Sequence, residues 1–266
     1  MDFLLFNGKK IFFNTTGQGP ALVLLHGFTE SQKIWDDFSR QLSHEFQVVT
    51  LDLPGHGLSE VVDEVHSMEL LADIVHHLLL ELGIEQCLMV GHSMGGYAAL
   101  AFAAAHPEML KGLCIFHSHG FADSIQDREN RDRTIALVKQ DKFGFIVQFI
   151  PGLFPPEAQG TFAKEIQALT EEATKMTREG VIAALEGMKI RDDRSSLLQN
   201  LTIPVLFIVG MKDSKAPLTR IWEMIALPAI SESLLLKDVG HMGYIEKPEV
   251  TLQAILHFGL KIFNGK

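Results

Sequence analysis

The sequence predicts an α/β fold: a mostly parallel, doubly wound sheet with a helical lid inserted into it. Three observations carry this. Short apolar runs alternate with helical stretches, the pattern of a parallel sheet covered on both faces. Gly91-His92-Ser93-Met94-Gly95 lies between the apolar run Cys87-Leu88-Met89-Val90 and an Ala-rich helical run at 97–105, a strand–turn–helix context. From about residue 118 to 200 the strand rhythm stops. That stretch is far longer than an ordinary connection between a helix and a strand.

In chain order, residues 10–14 read as an early strand and 21–25 as a buried strand ending at His26-Gly27. Residues 31–42 read as a helix, with Ser31 as its N-cap and Trp35, Phe38 and Leu42 on one face. Residues 48–51 form a strand followed by the turn-rich Asp52-Leu53-Pro54-Gly55-His56-Gly57. Ser67 caps a helix that Gly83 stops. The strand at Cys87, the Gly-Ser turn and its helix follow, then a strand at 113–116. Helical stretches are expected near 123–140, 143–149, 156–176 and 177–188, punctuated by Pro151, Pro155 and Pro156. Beyond them, 205–209 and 233–237 read as strands, 218–227 and 248–263 as helices. The expected division is a core of 1–117 and 201–266, with 118–200 as a mostly helical lid.

Composition narrows the function. The chain has 266 residues, 47% hydrophobic and 21% charged, which suits a globular protein with a large core. A formal charge of −10 argues against nucleic acid and against an anionic membrane surface as partners. No run of about 18 apolar residues is present to span a bilayer. Cys87 and Cys114 lie in apolar runs and read as buried free thiols, which suits a reducing, cytoplasmic compartment. Oligomeric state is not readable.

The chemistry rests on Ser93. Chance gives about 0.1 G-x-S-x-G matches in a chain this long, so the flanks carry the weight. A sharp turn there lifts a serine hydroxyl clear of the sheet, and the close approach of its flanks requires the glycines. A serine needs a base, and the base an orienting acid. In this kind of sheet they follow in the order serine, acid, histidine. Asp213, just past the strand at 205–209, and His241, just past the last strand, fit that order and lie at the carboxyl edge of the sheet. Asp238 and Asp123 are rival acids. The backbone N–H groups of Met94 and Phe28 are the expected oxyanion donors. His119, Phe143, Phe149, Phe154 and Met242 are expected to line the substrate pocket, with Phe145 and Phe162 adding to an apolar roof. The charged run 127–133 reads as the solvated face of a lid helix. His117-Ser118-His119 and His76-His77 lack metal-ligand spacing, so no metal is expected. No phosphate-binding glycine pattern occurs, so no nucleotide or other cofactor is expected.

Together these residues resemble the α/β-hydrolase superfamily, in its lidded, carboxylesterase-like serine hydrolase branch. The resemblance rests on Gly19-Pro20, His26-Gly27-Phe28, Asp52-x-Pro54-Gly55-His56-Gly57-x-Ser59, the Gly91–Gly95 turn, Gly210-x-x-Asp213 and Gly240-His241. It implies an α/β-hydrolase fold and, for Asp52 to Ser59, a structural turn without chemistry. Serine at 93 excludes the branches with an aspartate nucleophile. The implied function is cleavage of a carboxylic ester of a small to medium, largely apolar molecule through an acyl-enzyme on Ser93. Carbon–carbon bond hydrolases, lyases and perhydrolases share the triad, and a non-catalytic ligand sensor shares the scaffold.

Overall fold

A computed structural model describes residues 1–216 and 218–265. Its centre is an eight-stranded sheet: β1 (Asp2–Phe6), β2 (Lys9–Thr16), β3 (Ala21–Leu25), β4 (Gln47–Leu51), β5 (Cys87–His92), β6 (Leu110–Phe116), β7 (Val205–Gly210) and β8 (Ser231–Leu236). The spatial order is β1-β2-β4-β3-β5-β6-β7-β8. β1, β2 and β4 are joined antiparallel, and every pairing from β4 to β8 is parallel. Every residue of β3, β5 and β7 is buried. Burial on both faces is the signature of a doubly wound sheet, and it explains their unbroken apolar runs. Cys87 and Cys114 lie in the neighbouring strands β5 and β6 as buried free thiols. Burial pushes the Cys87 thiol up to about 12.

β1 has no counterpart in the strand reading of the sequence. Its signal is Asn7-Gly8, where both residues have positive φ, 50° and 76°. That two-residue loop matches the right-handed twist of a hairpin. The hairpin covers the edge of β4 and adds the antiparallel end of the sheet.

The helices of the sheet region are α1 (Asp36–Leu42), α2 (Met68–Glu81) and α3 (Met94–Ala105). Ser67 caps α2 as expected, its hydroxyl accepting from Leu70 N–H at 3.1 Å. Ser31 caps nothing. The chain first makes a 3₁₀ turn, Gln32–Trp35, and the buried Ser31 side chain makes no capping hydrogen bond.

Between β6 and β7 the chain is helical: α4 (Ile125–Phe149), α5 (Ala163–Thr174), α6 (Arg178–Ile190) and α7 (Ser195–Asn200). α4 is broken at Asp141, whose backbone leaves the helical region at φ −145°, ψ 83°. This break divides the two helical stretches read from the sequence. α5 starts later than expected, because turns after Pro155 and Pro156 delay it to Ala163. After β7 come α8 (Leu218–Ile225), the short α9 (Gly243–Glu246) and α10 (Pro248–Asn264). Among the described residues, no helix is long and apolar enough to cross a membrane.

α6 touches the sheet region through its glycines. A Cβ on Gly180 would meet the backbone of Gly55, and one on Gly187 would meet the carbonyl of His66. His66 N–H also donates to Ala183 O at 3.0 Å. Gly187→Ala therefore overpacks a backbone contact, and the expected loss is about 1–3 kcal/mol in denaturant unfolding. Gly160→Ala, with open space at its Cβ, is the control and is expected to stay within about 0.5 kcal/mol of the parent.

Candidate active site

The strand order reverses at β3, which has β4 on one side and β5 on the other. Ligand sites in open parallel sheets lie at such switch points, beyond the carboxyl ends of the strands. The loops after β3, β5, β6, β7 and β8 all contribute here.

Ser93 follows β5 in a strained backbone, φ 52° and ψ −115°. Its N–H donates to Phe116 O at 2.9 Å, and its carbonyl accepts from the Ser118 hydroxyl at 2.7 Å. The bend leaves no room for side chains. A Cβ on Gly91 would meet the backbone of Gly95, and one on Gly95 the carbonyls of Leu25 and His26.

The hydroxyl so presented meets His241. The Ser93 Oγ to His241 Nε2 distance is 2.8 Å, and His241 Nδ1 lies 2.7 Å from Asp213 Oδ2. With the Nδ1 proton donated to the carboxylate, Nε2 is left to accept the Ser93 hydroxyl proton. Burial alone would raise the Asp213 pKa. The electrostatic pull of the His241 ring, its hydrogen bond and the nearby His117 ring outweigh it and hold the carboxyl well below its ordinary value. Asp213 Oδ1 also accepts from the N–H groups of Lys215 at 2.7 Å and Ala216 at 3.3 Å.

The rival acids lie elsewhere. Asp238 is exposed and pairs with Lys212 at 3.3 Å. Asp123 forms buried ion pairs with Arg131 and Arg191.

The loop after β3 turns tightly, with Glu30 N–H donating to Gly27 O at 3.3 Å. Gly27 lies against Ser93, a Cβ on it falling 3.0 Å from the serine Cβ. Among the described residues, the N–H groups of Phe28 and Met94 donate to no protein acceptor. Both are thus available to a developing oxyanion.

A set of ionisable residues behind the site escaped the sequence reading. His92 is fully buried, and both its ring nitrogens face acceptors: Nδ1 the Glu30 carboxylate at 3.0 Å, Nε2 the His241 carbonyl at 2.9 Å. Two acceptors require two N–H donors, so this ring is an imidazolium. Burial opposes its charge, but Glu30 more than compensates and raises its pKa. Burial likewise opposes the Glu30 charge, and His92 reverses it to lower that pKa. Glu30 also accepts from Gly27 N–H at 2.5 Å and the Tyr244 hydroxyl at 3.1 Å. One carboxylate thereby ties the β3 loop to the serine turn and the histidine loop. Glu246 supports that last loop by accepting from Gly240 N–H at 3.0 Å and Met242 N–H at 3.1 Å. His117 backs Asp213, its Nδ1 3.4 Å from Oδ2. Burial holds its pKa near 4, so it is neutral.

A cavity of about 620 Å³ opens beside Ser93 and His241. Of the expected pocket residues, His119 and Phe149 line it. His119 is buried and 3.3 Å from the Tyr97 hydroxyl. Phe143 does not line the cavity: beyond the break at Asp141 its ring is 63% exposed. Phe154 is buried against Phe162 instead, and Met242 is fully buried where α9 begins. Phe145, stacked on Phe149 at 5.3 Å, completes an aromatic wall with Phe28. The run 127–133 is only partly a solvated face, because Asp127, Asn130 and Arg131 line the cavity, with Thr134 just beyond the run. Their spacing is a helical stripe that could have been read from the sequence.

The Glu30–His92 pair generates a prediction. A raised histidine pKa stabilises the fold below about 6.5 and loses that effect as pH rises through the folded-state value. A lowered carboxylate pKa stabilises above about 4.5 and loses that effect as pH falls through the folded-state value. Glu30→Gln leaves the buried cation unpaired and is expected to cost about 3–5 kcal/mol where both groups are charged. The deficit should shrink at higher pH, once His92 of the parent loses its proton, and again in strong acid. Urea unfolding of both proteins across pH checks this; a deficit independent of pH contradicts an ionised pair.

The alpha/beta hydrolase fold family model matches residues 20–248. The chain is similar to a pimeloyl-[acyl-carrier protein] methyl ester esterase of Aeromonas hydrophila, 30% identical over 249 residues, 91% of this chain and 96% of the relative. It is also similar to the solved, malate-bound structure of a thermophilic esterase from Thermogutta terrifontis, with TM-score 0.91 and 33% identity over 96% of this chain and 94% of the other. The enol-lactonase of Burkholderia xenovorans LB400 shares the fold at TM-score 0.89 and 21% identity, over 97% of this chain and 99% of its own. The reversed sheet, the strained serine turn and these matches agree: the chain belongs to the α/β-hydrolase family, as an esterase-like member.

Proposed function

We propose that the protein is a serine hydrolase that cleaves a carboxylic ester of a small to medium molecule through an acyl-enzyme on Ser93. The observation that carries this reading is the hydrogen-bonded chain from Ser93 Oγ through His241 to Asp213, at 2.8 and 2.7 Å. Ser93 Oγ attacks the ester carbonyl as His241 Nε2 takes its proton. Asp213 holds the imidazole tautomer and stabilises its cation. The N–H groups of Phe28 and Met94 receive the oxyanion. The imidazolium then protonates the leaving alcohol, and water activated by the same ring releases the acid from Ser93.

Residues 118–200 serve as the lid in this reading. Support comes from the cavity walls, since α4 and α6 supply Arg131, Phe145, Phe149, Leu185 and Met188 opposite Ser93. Leu153, in the same segment, accepts from His241 N–H at 2.9 Å and so touches the base directly. The apolar part of the substrate packs on Phe28, Phe145 and Phe149. The largely apolar substrate expected from the phenylalanines becomes a mixed one in this reading, because charged side chains share the lining. A small-molecule substrate handled without metal or cofactor suits this machinery.

The test uses nitrophenyl esters of increasing chain length and a fluorophosphonate probe. Turnover is expected with short esters, and covalent labelling should vanish in Ser93→Ala. Ser93→Ala is expected to lower kcat by roughly 10⁶-fold. Asp213→Asn, which spoils the tautomer, is expected to lower it by about 10⁴-fold. Labelling without ester turnover points to cleavage of another bond and overturns the ester assignment.

A further inference from the structure

The cavity beside Ser93 carries more positive than negative side chains. Arg131, Arg191, Arg220 and Lys215 line it, against Asp123 and Asp127. This local surplus runs against a chain whose net charge is −10. Both carboxylates are engaged. Asp123 is shared by Arg131 and by Arg191, whose Nη1 is 2.5 Å from Oδ1. Asp127 caps α4, accepting from Ser124 N–H at 3.1 Å and from its hydroxyl at 2.6 Å.

Arg220 and Lys215 form no ion pair among the described residues. Their cationic heads lie instead over the rings of Phe121, at 5.1 Å, and Phe149, at 5.3 Å. Such contacts hold a cation in place without neutralising it. Lys215 stands at the solvent-exposed side of the cavity, yet its pKa is lowered by partial desolvation, which the Asp213 charge only partly offsets. Carboxylates lie near both cations, Asp213 for Lys215 and Asp127 and Asp193 for Arg220, but none pairs with either directly, so each head keeps donors to offer an anionic ligand. The guanidinium fork of Arg220 matches a carboxylate in geometry as well as in sign.

We propose that the ester substrate carries a second, ionised carboxylate, held by Arg220 and Lys215 while its ester group lies at Ser93. The substrate class is thus a half-ester of a dicarboxylic acid, with its methylene chain along Phe28, Phe145 and Phe149. This inference rests on the ester-hydrolase reading and deepens it. The free carboxylate stays distant from the scissile bond, so the catalytic steps are unchanged.

The experiment compares the monomethyl and dimethyl esters of succinate, adipate and suberate. For at least one chain length, kcat/KM for the half-ester is expected to exceed that for the diester by about tenfold or more, mainly through KM. Arg220→Gln and Lys215→Gln should each lower that ratio by at least about fivefold, and Arg220→Lys should restore part of it. Added salt should shrink the preference as well. Equal or better turnover of the diester at every length overturns the inference. So does a half-ester preference that both glutamine variants retain. If neutral nitrophenyl esters are turned over and Ser93 is labelled while the preference is absent, the anion site alone fails. If labelling and all ester turnover are absent, the ester-hydrolase reading fails and takes the anion site with it.

Discussion

The left-handed backbone at Ser93 is the constraint on which the rest of the site depends. A non-glycine residue at φ 52° is strained by about 1–3 kcal/mol. It persists because its surroundings leave no alternative. The serine N–H is held by Phe116 O on β6, and its carbonyl accepts from the Ser118 hydroxyl and from Gly96 N–H at the start of α3. Glycines at 91 and 95 let β5, α3 and the end of β3 approach one another at backbone distance. Relaxing the turn would move the hydroxyl from His241 Nε2 and separate the first two members of the chain.

Buried charge then fixes the partners. The Glu30–His92 pair lies behind Ser93 with both members almost wholly enclosed. Its contacts reach the β3 loop, the serine turn and the carbonyl of His241. Asp213 is enclosed too, and His117 and His241 approach it from two sides. Removing one member of such a network is costly because the survivor stays buried and uncompensated. Rigid placement follows from that cost, and a preorganised site needs rigid placement. Electrostatics therefore connects five loops that leave the sheet from separate strands.

Much of this was legible in the sequence for identifiable reasons. The buried strands β3, β5 and β7 declared themselves as unbroken apolar runs, and Ser67 and Gly83 marked the ends of α2. Ser93, Asp213 and His241 stood out because chain order and strand ends are sequence properties, and the structure brings the three into hydrogen-bond contact. β1 was missed because only Asn7-Gly8 signals it. Phe143, Phe154 and Met242 were misplaced because a residue's apolar character does not say which wall it faces. On the helical stretch after Asp141, Phe143 falls on the exposed face while Phe145 and Phe149, four residues apart, share the face that lines the cavity. Glu30, His92 and Tyr244 could not be joined by spacing, since 214 residues separate the ends of one of their hydrogen bonds.

The cavity completes the picture with an aromatic wall on one side and guanidinium and ammonium groups on another. Its position beside the serine turn makes the proposed acyl-enzyme the central claim. The most direct measurement is intact-protein mass spectrometry on samples mixed with an activated ester and quenched in acid during the first turnover. An added acyl mass that maps to the peptide containing Ser93, and that Ser93→Ala lacks, is the expected result. Ester turnover with no adduct at any quench time, or an adduct that persists in Ser93→Ala, would contradict it.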